Sequence, residues 1–472
     1  MSQQSMTDIS KAVSQAIEAV KNLDGSQFVT QFSDNGVLID EAKHYRTPGA
    51  ILEWFLKGLK GHEATIQVLG SGVFQEEVWI QVMMDGDYAA DYGITEPFPL
   101  YFHFFLSDED RIKLLRVNQI RPEEPTMRAV WAANGNDGDP LSALRSDVMK
   151  VPEVPEGWVR VKVVAAGLNY HDIFTLRGMG MFELKFPLIL GNEGAGTLHD
   201  GTEVIIFPVM GNPDYKGDGT LDPERHVLGE LTQGSLAEYV VVPERNVVKK
   251  PKNMSFETAS VLGIAWLTAY RMLFTRSGLA KGQKMLVQGS TGGVATALIQ
   301  LGVAAGMKVW ATGRTAEKRA IAEKLGALRT FLPGEALLPS EALPPCEALP
   351  PGEALPPGEA LPEKVAAVFD MSGEKTFKHS MECLETGGTL VCCGLHSGGV
   401  FAELDLMKLF TQGINVHGTY AGNREEFEAL IAFVADHGLE PYIPMILPLE
   451  KAEEGLRMML EGRVQGKIVV KM

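Results

Sequence analysis

Cysteine is scarce: only Cys346, Cys383, Cys392 and Cys393 occur in 472 residues. They show no paired spacing, and the last two are adjacent, which disfavours a bridge between them. A disulfide framework is therefore not expected, and the thiols read as reduced ones in a cytoplasmic protein. Basic charge is scarce too. Lys and Arg number 43 against 60 Asp and Glu, a formal charge of −17, which argues against nucleic acid and anionic membrane surfaces as partners. There is no apolar run of about 20 residues to span a bilayer. The opening MSQQSMTDIS lacks the basic and apolar regions of a secretory signal. What is present, 45% hydrophobic and 22% charged residues, is the composition of globular domains, and the length predicts three structural units.

Apolar side chains recur at helical spacing over 9–20 and 47–59, and residues 65–73, 78–84, 100–106 and 113–120 alternate like half-buried strands. Next comes RPEEPTM, whose prolines and glutamates read as a linker, and MRAVWAANG, which looks like the start of a free-standing protein. A boundary is expected near 122–127. Residues 333–363 repeat a hexad around Glu335, Glu341, Glu347, Glu353 and Glu359 with proline in nearly every unit. Such spacing forbids a continuous helix and predicts a surface loop between strands at 328–332 and 365–370.

The strongest chemical signal is KMLVQGSTGGVATALIQLGVAAG. A short buried strand at 285–287, the turn Gly289, Ser290, Thr291, Gly292, Gly293 and a helix from Val294 would aim backbone N–H groups and a helix N-terminus at a pyrophosphate. Gly292 permits close approach, and Ala295 is small enough for the helix to pack on the strand. The second strand and turn, KVWATGRTAEKR, carries Gly313 where an NAD enzyme would place an acidic residue on the ribose. Arg314 follows and Lys318 lies one turn on, so two cations can meet a 2′-phosphate. The expected cofactor is NADPH.

With that turn placed, residues 127–472 resemble the medium-chain dehydrogenase/reductase family. The matching segments are VRVKVVAAGLNYHDIFTLRG, PLILGNEGAGTL, GSLAEYVVVPERNVVKKP, ASVLGIAWLTAYRML, GGTLVCCGLHSGG and GRVQGKIVV. The glycine turn resembles the quinone-reductase branch. The resemblance implies an α/β Rossmann nucleotide domain with a GroES-like β-rich catalytic domain. Zinc members need Cys and His ligands, but here the first place is Asn169, the second Asn192, and the third falls near Ile264 or Ala265. No catalytic metal is expected. Zinc polarises a carbonyl or acidifies an alcohol, so its loss points to reduction of a conjugated alkene or quinone.

By resemblance, Asn169 and Asp172 sit on the loop that reaches the nicotinamide, with Tyr170 and His171 as neighbours able to donate a proton. Thr268 lies on the opposite wall. Gly394, Gly422, Arg424 and Lys467 match loops lining the cofactor cleft. A homodimer through nucleotide-domain edges is implied by the same likeness.

The first 120 residues or so resemble the SnoaL-like branch of the NTF2-like fold, an α+β cone around a pocket. The likeness rests on GVLIDEAKHYRTPGAILEW and on VMMDGDYAADY followed by PLYFHFFLSDEDRIKLLRV. Asp40, His44, Asp91 and His103 are the polar groups expected in that pocket, with Asp40 and His44 a candidate acid/base pair. The expected organisation is thus 1–122 SnoaL-like, 123–126 linker, 127–255 and 440–472 catalytic, and 256–439 nucleotide-binding. The leading reading is an NADPH-dependent reductase of a small molecule, polyketide-like by analogy. A bifunctional isomerase or cyclase and an NADPH-binding sensor without turnover are the alternatives.

Overall fold

The computed structural model describes residues 10–89, 94–333, 361–394 and 400–472. Residues 334–360 of the repeat, with Cys346, and residue Asp91 lie outside the described residues. The chain divides into two compact units. One runs to Ala129 and includes Arg145–Val151; the other comprises Val130–Leu144 and Pro152–Met472. Among the described residues no helix is long and apolar enough to cross a membrane.

In the first unit, Ser10 caps helix Lys11–Lys21 by accepting the Val13 N–H at 3.1 Å, as a short hydroxyl before an apolar-periodic run should. Its Val13, Ala16, Ile17 and Val20 are buried. Thr47 caps helix Pro48–Trp54, with proline in the first turn, where a missing N–H costs nothing. The helices accompany a six-stranded sheet in the order Lys43–Tyr45, Phe32–Asp40, Ile112–Asn118, Phe98–Leu106, Glu77–Asp85, Thr65–Phe74. Alternation puts Val78, Ile80, Val82, Phe102, Phe104 and Leu115 into one core with the helices.

That alternation corrects two expectations. His103, between Phe102 and Phe104, faces away from the core, where Nδ1 meets Glu77 Oε1 at 2.6 Å and Nε2 meets Asn118 Oδ1 at 2.9 Å. It therefore does not share the helix-facing side with Phe102 and Phe104. Asp40 and His44 do not pair either. In the hairpin Ile39 lies opposite His44 and Asp40 opposite Lys43, so the period of two sends Asp40 and His44 to opposite faces. Asp40 instead accepts the Trp54 indole N–H at 2.8 Å, while His44 is exposed and meets Ser146 O and Arg46.

The second unit contains two large sheets. In the seven-stranded one, Trp158–Gly167 pairs antiparallel with Gly194–Thr197, Tyr239–Pro243 and Ile468–Lys471. The other is entirely parallel, in the order Arg329–Phe331, Lys308–Thr312, Lys284–Gln288, Val365–Asp370, Leu384–Cys392, Asn415–Gly418. From Lys284–Gln288 the chain builds outward to one side, then returns to build the other. The crevice at such a reversal, at the carboxyl ends of the strands, is where open α/β sheets bind ligands.

Candidate active site

A cavity of about 500 Å³ opens at that reversal. Its floor is the turn between Lys284–Gln288 and helix Gly293–Ala304. Gly289 has φ +92°, a left-handed conformation that suits glycine, and its N–H donates to Thr312 Oγ1 at 2.8 Å. Thr312 in turn donates to Gln288 Oε1, and Gln288 Nε2 donates to His379 Nδ1 and Ser380 Oγ. This buried polar chain sets the turn from below. A Cβ on Gly289 or Gly292 would meet nothing within 4 Å, so the space above the turn is open for a ligand. Gly293 is close-packed instead, since a Cβ there would meet Lys467 Cδ at 2.9 Å.

Gly289, Ser290, Thr291, Gly292, Gly293, Val294, Gly313, Arg314 and Lys318 all line the cavity. Burial, and then the Arg314 charge, lower the Lys318 pKa, as expected of two cations sharing one corner and able to share an anion. Arg319 holds the Gly313 carbonyl at 2.8 Å. Ser290 Oγ is buried without a partner among the described residues.

Asn169, Tyr170, His171, Thr268 and Lys467 line the same cavity. Lys467 is 3% exposed and Glu193 wholly buried, and their charged atoms lie 2.8 Å apart. The same ammonium donates to Leu168 O and to Asn169 Oδ1, both at 2.6 Å. Asn169 Nδ2 donates to Glu193 Oε1 at 3.0 Å, and the Ile264 N–H donates to Glu193 Oε2 at 2.7 Å. Room for this buried carboxylate comes from two glycines: a Cβ on Gly167 would strike its oxygen, and one on Gly263 would lie 3.0 Å from its Cβ.

Three sequence expectations need correction. Asp172 is wholly buried and does not line the cavity. It closes a capping box on helix Tyr170–Leu176 and accepts the Asn169 and Gly191 N–H groups, each at 2.8 Å. Burial raises its pKa despite those bonds. Its carboxyl ties the Asn169 loop to Gly191, because capping geometry turns it inward. Arg424 is not among the lining residues. As the first residue of helix Arg424–His437 it pairs with Glu428 at 3.0 Å. Nor is Gly422: a Cβ there would meet Leu267 at 2.6 Å, so it serves packing.

Gly394 does line the cavity, as does Tyr170, whose ring meets Phe174 edge-on at 5.3 Å. Sequence reasoning passed over Thr312, Tyr420 and Glu230. His171 Nε2 lies 3.3 Å from Glu230 Oε1. Burial opposes ionisation of Glu230, yet His171 and the Val227 N–H bring its pKa below the usual carboxylate value. The signals were faint: Glu230 and Tyr420 sit in GEL and GTYAGN, which carry no general motif. Among the described residues no three His, Cys, Asp or Glu side chains cluster as metal ligands do, and Cys383, Cys392 and Cys393 are free.

The alcohol dehydrogenase GroES-like domain matches residues 155–252, and the zinc-binding dehydrogenase domain matches residues 293–436. A crystal structure of an NAD-dependent alcohol dehydrogenase is 30% identical, with a TM-score of 0.63 over 73% of this chain and 100% of its own. A zinc-type alcohol dehydrogenase-like protein of Schizosaccharomyces pombe is 29% identical over 70% of this chain and 95% of its own length. A crotonyl-CoA reductase of Streptomyces collinus is 26% identical over 71% and 83% respectively. With its GroES-like sheet and Rossmann-like sheet, the chain belongs to the medium-chain family of zinc-type alcohol dehydrogenases and enoyl reductases and is a nicotinamide-dependent oxidoreductase.

Proposed function

We propose that the chain uses NADPH to reduce a carbonyl-conjugated alkene or a quinone, without catalytic zinc. The observation that carries this is the Lys467 ammonium, 2.6 Å from Asn169 Oδ1 and 2.8 Å from Glu193 Oε1. Asn169 and Asn192 hold the places of metal ligands, and carboxamides bind zinc poorly. A cation already neutralises Glu193. This donor set does not fit a zinc ion. Without a Lewis acid, hydride addition to an alkene polarised by a carbonyl is easier to support than oxidation of a simple alcohol. The likeness to a crotonyl-CoA reductase supports the same direction.

The cavity fits a phosphorylated dinucleotide. The open turn at Gly289 and Gly292 would hold the pyrophosphate, and Arg314 and Lys318 the 2′-phosphate. When bound, NADPH supplies a hydride from its nicotinamide ring. The chain's residues orient it, with Thr268 and the Asn169 loop at the nicotinamide end. The test is NADPH absorbance with a panel of enones, enoyl thioesters and quinones. Turnover supports the reading; tight NADPH binding with no turnover of any acceptor leaves the sensor in its place.

Residues 1–122 we read as a SnoaL-like, NTF2-like domain, joined by 123–126 to the reductase at 127–472; its six-stranded sheet and helices support this. An isomerase or cyclase role is favoured by Asp40, whose pKa burial pushes up to about 6, a value suited to proton transfer near neutrality. Full reductase activity in residues 127–472 alone would mark the two as independent. Exposed Phe401, Leu406, Met407 and Phe410 lie close in sequence to the edge strand Asn415–Gly418. They support a homodimer, to be checked by sedimentation.

A further inference from the structure

A reductase of conjugated carbonyls needs a donor that polarises the substrate oxygen, and the obvious candidates are already engaged. The three N–H donors of Lys467 meet Leu168 O, Asn169 Oδ1 and Glu193 Oε1. Asn169 Nδ2 is turned to Glu193 and Gly167. Neither is left to grip a ligand.

Tyr420 is placed for the task. The Thr419 N–H donates to Cys392 O at 3.0 Å, so the loop begins where strands Leu384–Cys392 and Asn415–Gly418 end, at the ligand-binding end of the sheet. Tyr420 lines the cavity along with His171 and Val227. Its hydroxyl oxygen is buried and has no hydrogen-bond partner among the described residues. Buried polar groups are nearly always paired in folded proteins, and an orphan calls for an explanation. The ring is held by the Arg225 guanidinium, 5.3 Å from its centroid.

We propose that the Tyr420 hydroxyl donates a hydrogen bond to the substrate's carbonyl oxygen and stabilises the negative charge that hydride addition leaves there. The assignment rests on the enone-reductase reading above. Addition of hydride at the β-carbon breaks the alkene π bond, forms a C–H bond and leaves an electron pair shared by the α-carbon and the oxygen. Tyr420 holds that enolate until water protonates the α-carbon. Burial and then the Glu230 charge push the phenol pKa up, with Arg225 opposing, so the group stays a donor throughout. The hydroxyl thus serves as an oxyanion donor in a site whose Lys467 is committed to Glu193.

The experiment is Tyr420→Phe in the full chain. The oxygen removed has no partner among the described residues, so no hydrogen bond seen there is lost, and NADPH affinity within about twofold of wild type reports an intact fold. The expected result is a fall in kcat/KM for an enone of about 100-fold or more. Binding of para-nitrophenolate, an oxyanion probe read by its absorbance shift in the NADP⁺ complex, should weaken about tenfold or more. Turnover within about threefold of wild type together with unchanged para-nitrophenolate affinity overturns the assignment. If wild type turns over no acceptor, the reductase reading itself fails. The probe alone then decides Tyr420: weaker binding in the variant supports it as an oxyanion donor, and equal affinity in both proteins overturns it.

Discussion

Lys467 Nζ and Glu193 Oε1 lie 2.8 Å apart, with neither side chain more than 3% exposed. An ion pair removed from water tolerates loss of both charges better than loss of one. Lys467→Met should therefore destabilise the second unit by about 3–5 kcal/mol. Lys467→Met combined with Glu193→Leu should cost clearly less than the sum of the single changes. A double-mutant cycle by chemical denaturation checks this; simple additivity would refute the coupling.

The zinc expectation has a direct measurement. Elemental analysis of purified protein should find zinc far below one ion per chain, and a chelator should leave NADPH oxidation unchanged. Stoichiometric zinc, lost together with activity on chelation, would overturn the reading of Asn169 and Asn192.

Cofactor choice is expected to follow the cation pair at the second strand. Arg314→Ala with Lys318→Ala should weaken NADPH by about 3 kcal/mol or more, since each charge-assisted hydrogen bond contributes roughly 1.5–3 kcal/mol. NADH, which has no 2′-phosphate, should change little. Fluorescence titration with both nucleotides decides, and equal losses for the two would remove the 2′-phosphate assignment.

Asp172 should prove to be a positioning residue. Asp172→Ala leaves the N–H groups of Asn169 and Gly191 without their acceptor, which should cost about 2–4 kcal/mol of stability. The KM for NADPH in the protein that remains folded should stay near the wild-type value. Loss of kcat with no change in stability would restore a catalytic role.

Burial raises the Asp40 pKa from 3.8 to about 6, with the Trp54 N–H opposing. The native state therefore holds a proton that the unfolded chain has released. The contribution of Asp40 to the stability of the first unit is therefore greatest below about pH 4, falls as pH rises to about 6, and is level above, a change of about 2–3 kcal/mol. Asp40→Asn should flatten this dependence and raise stability at pH 7. Denaturation of both proteins across that window provides the comparison.

The cavity lining proposed for the nucleotide is largely legible in the sequence because its chemistry is local. A strand, a glycine turn and a helix N-terminus are contiguous, so Gly289–Gly293 and the pair Arg314 and Lys318 could be read from neighbouring letters. The strands at 65–73, 78–84 and 100–106 were legible for the same reason, as a period of two in short windows. The orientation of side chains across strands was less so. His103 looked like a pocket residue, but the phase of Phe102 and Phe104 in the core sends it to the other face. The short helix Gly25–Val29 carries too few residues to show a period.

The family is readable from the letters alone, as are the glycine turn proposed to hold phosphate and the asparagines Asn169 and Asn192 proposed to stand in for zinc ligands, because each is written in contiguous or family-ordered residues. What surrounds those residues came from the tertiary fold. It brings Lys467 from the last strand's approach to Glu193 and Asn169, turns Asp172 inward as a cap, keeps Arg424 off the cavity lining, and leaves the Tyr420 hydroxyl without a partner among the described residues. The reason is physical. Burial and charge pairing depend on which distant segments fill the space around a side chain, and spacing along the chain carries no record of it.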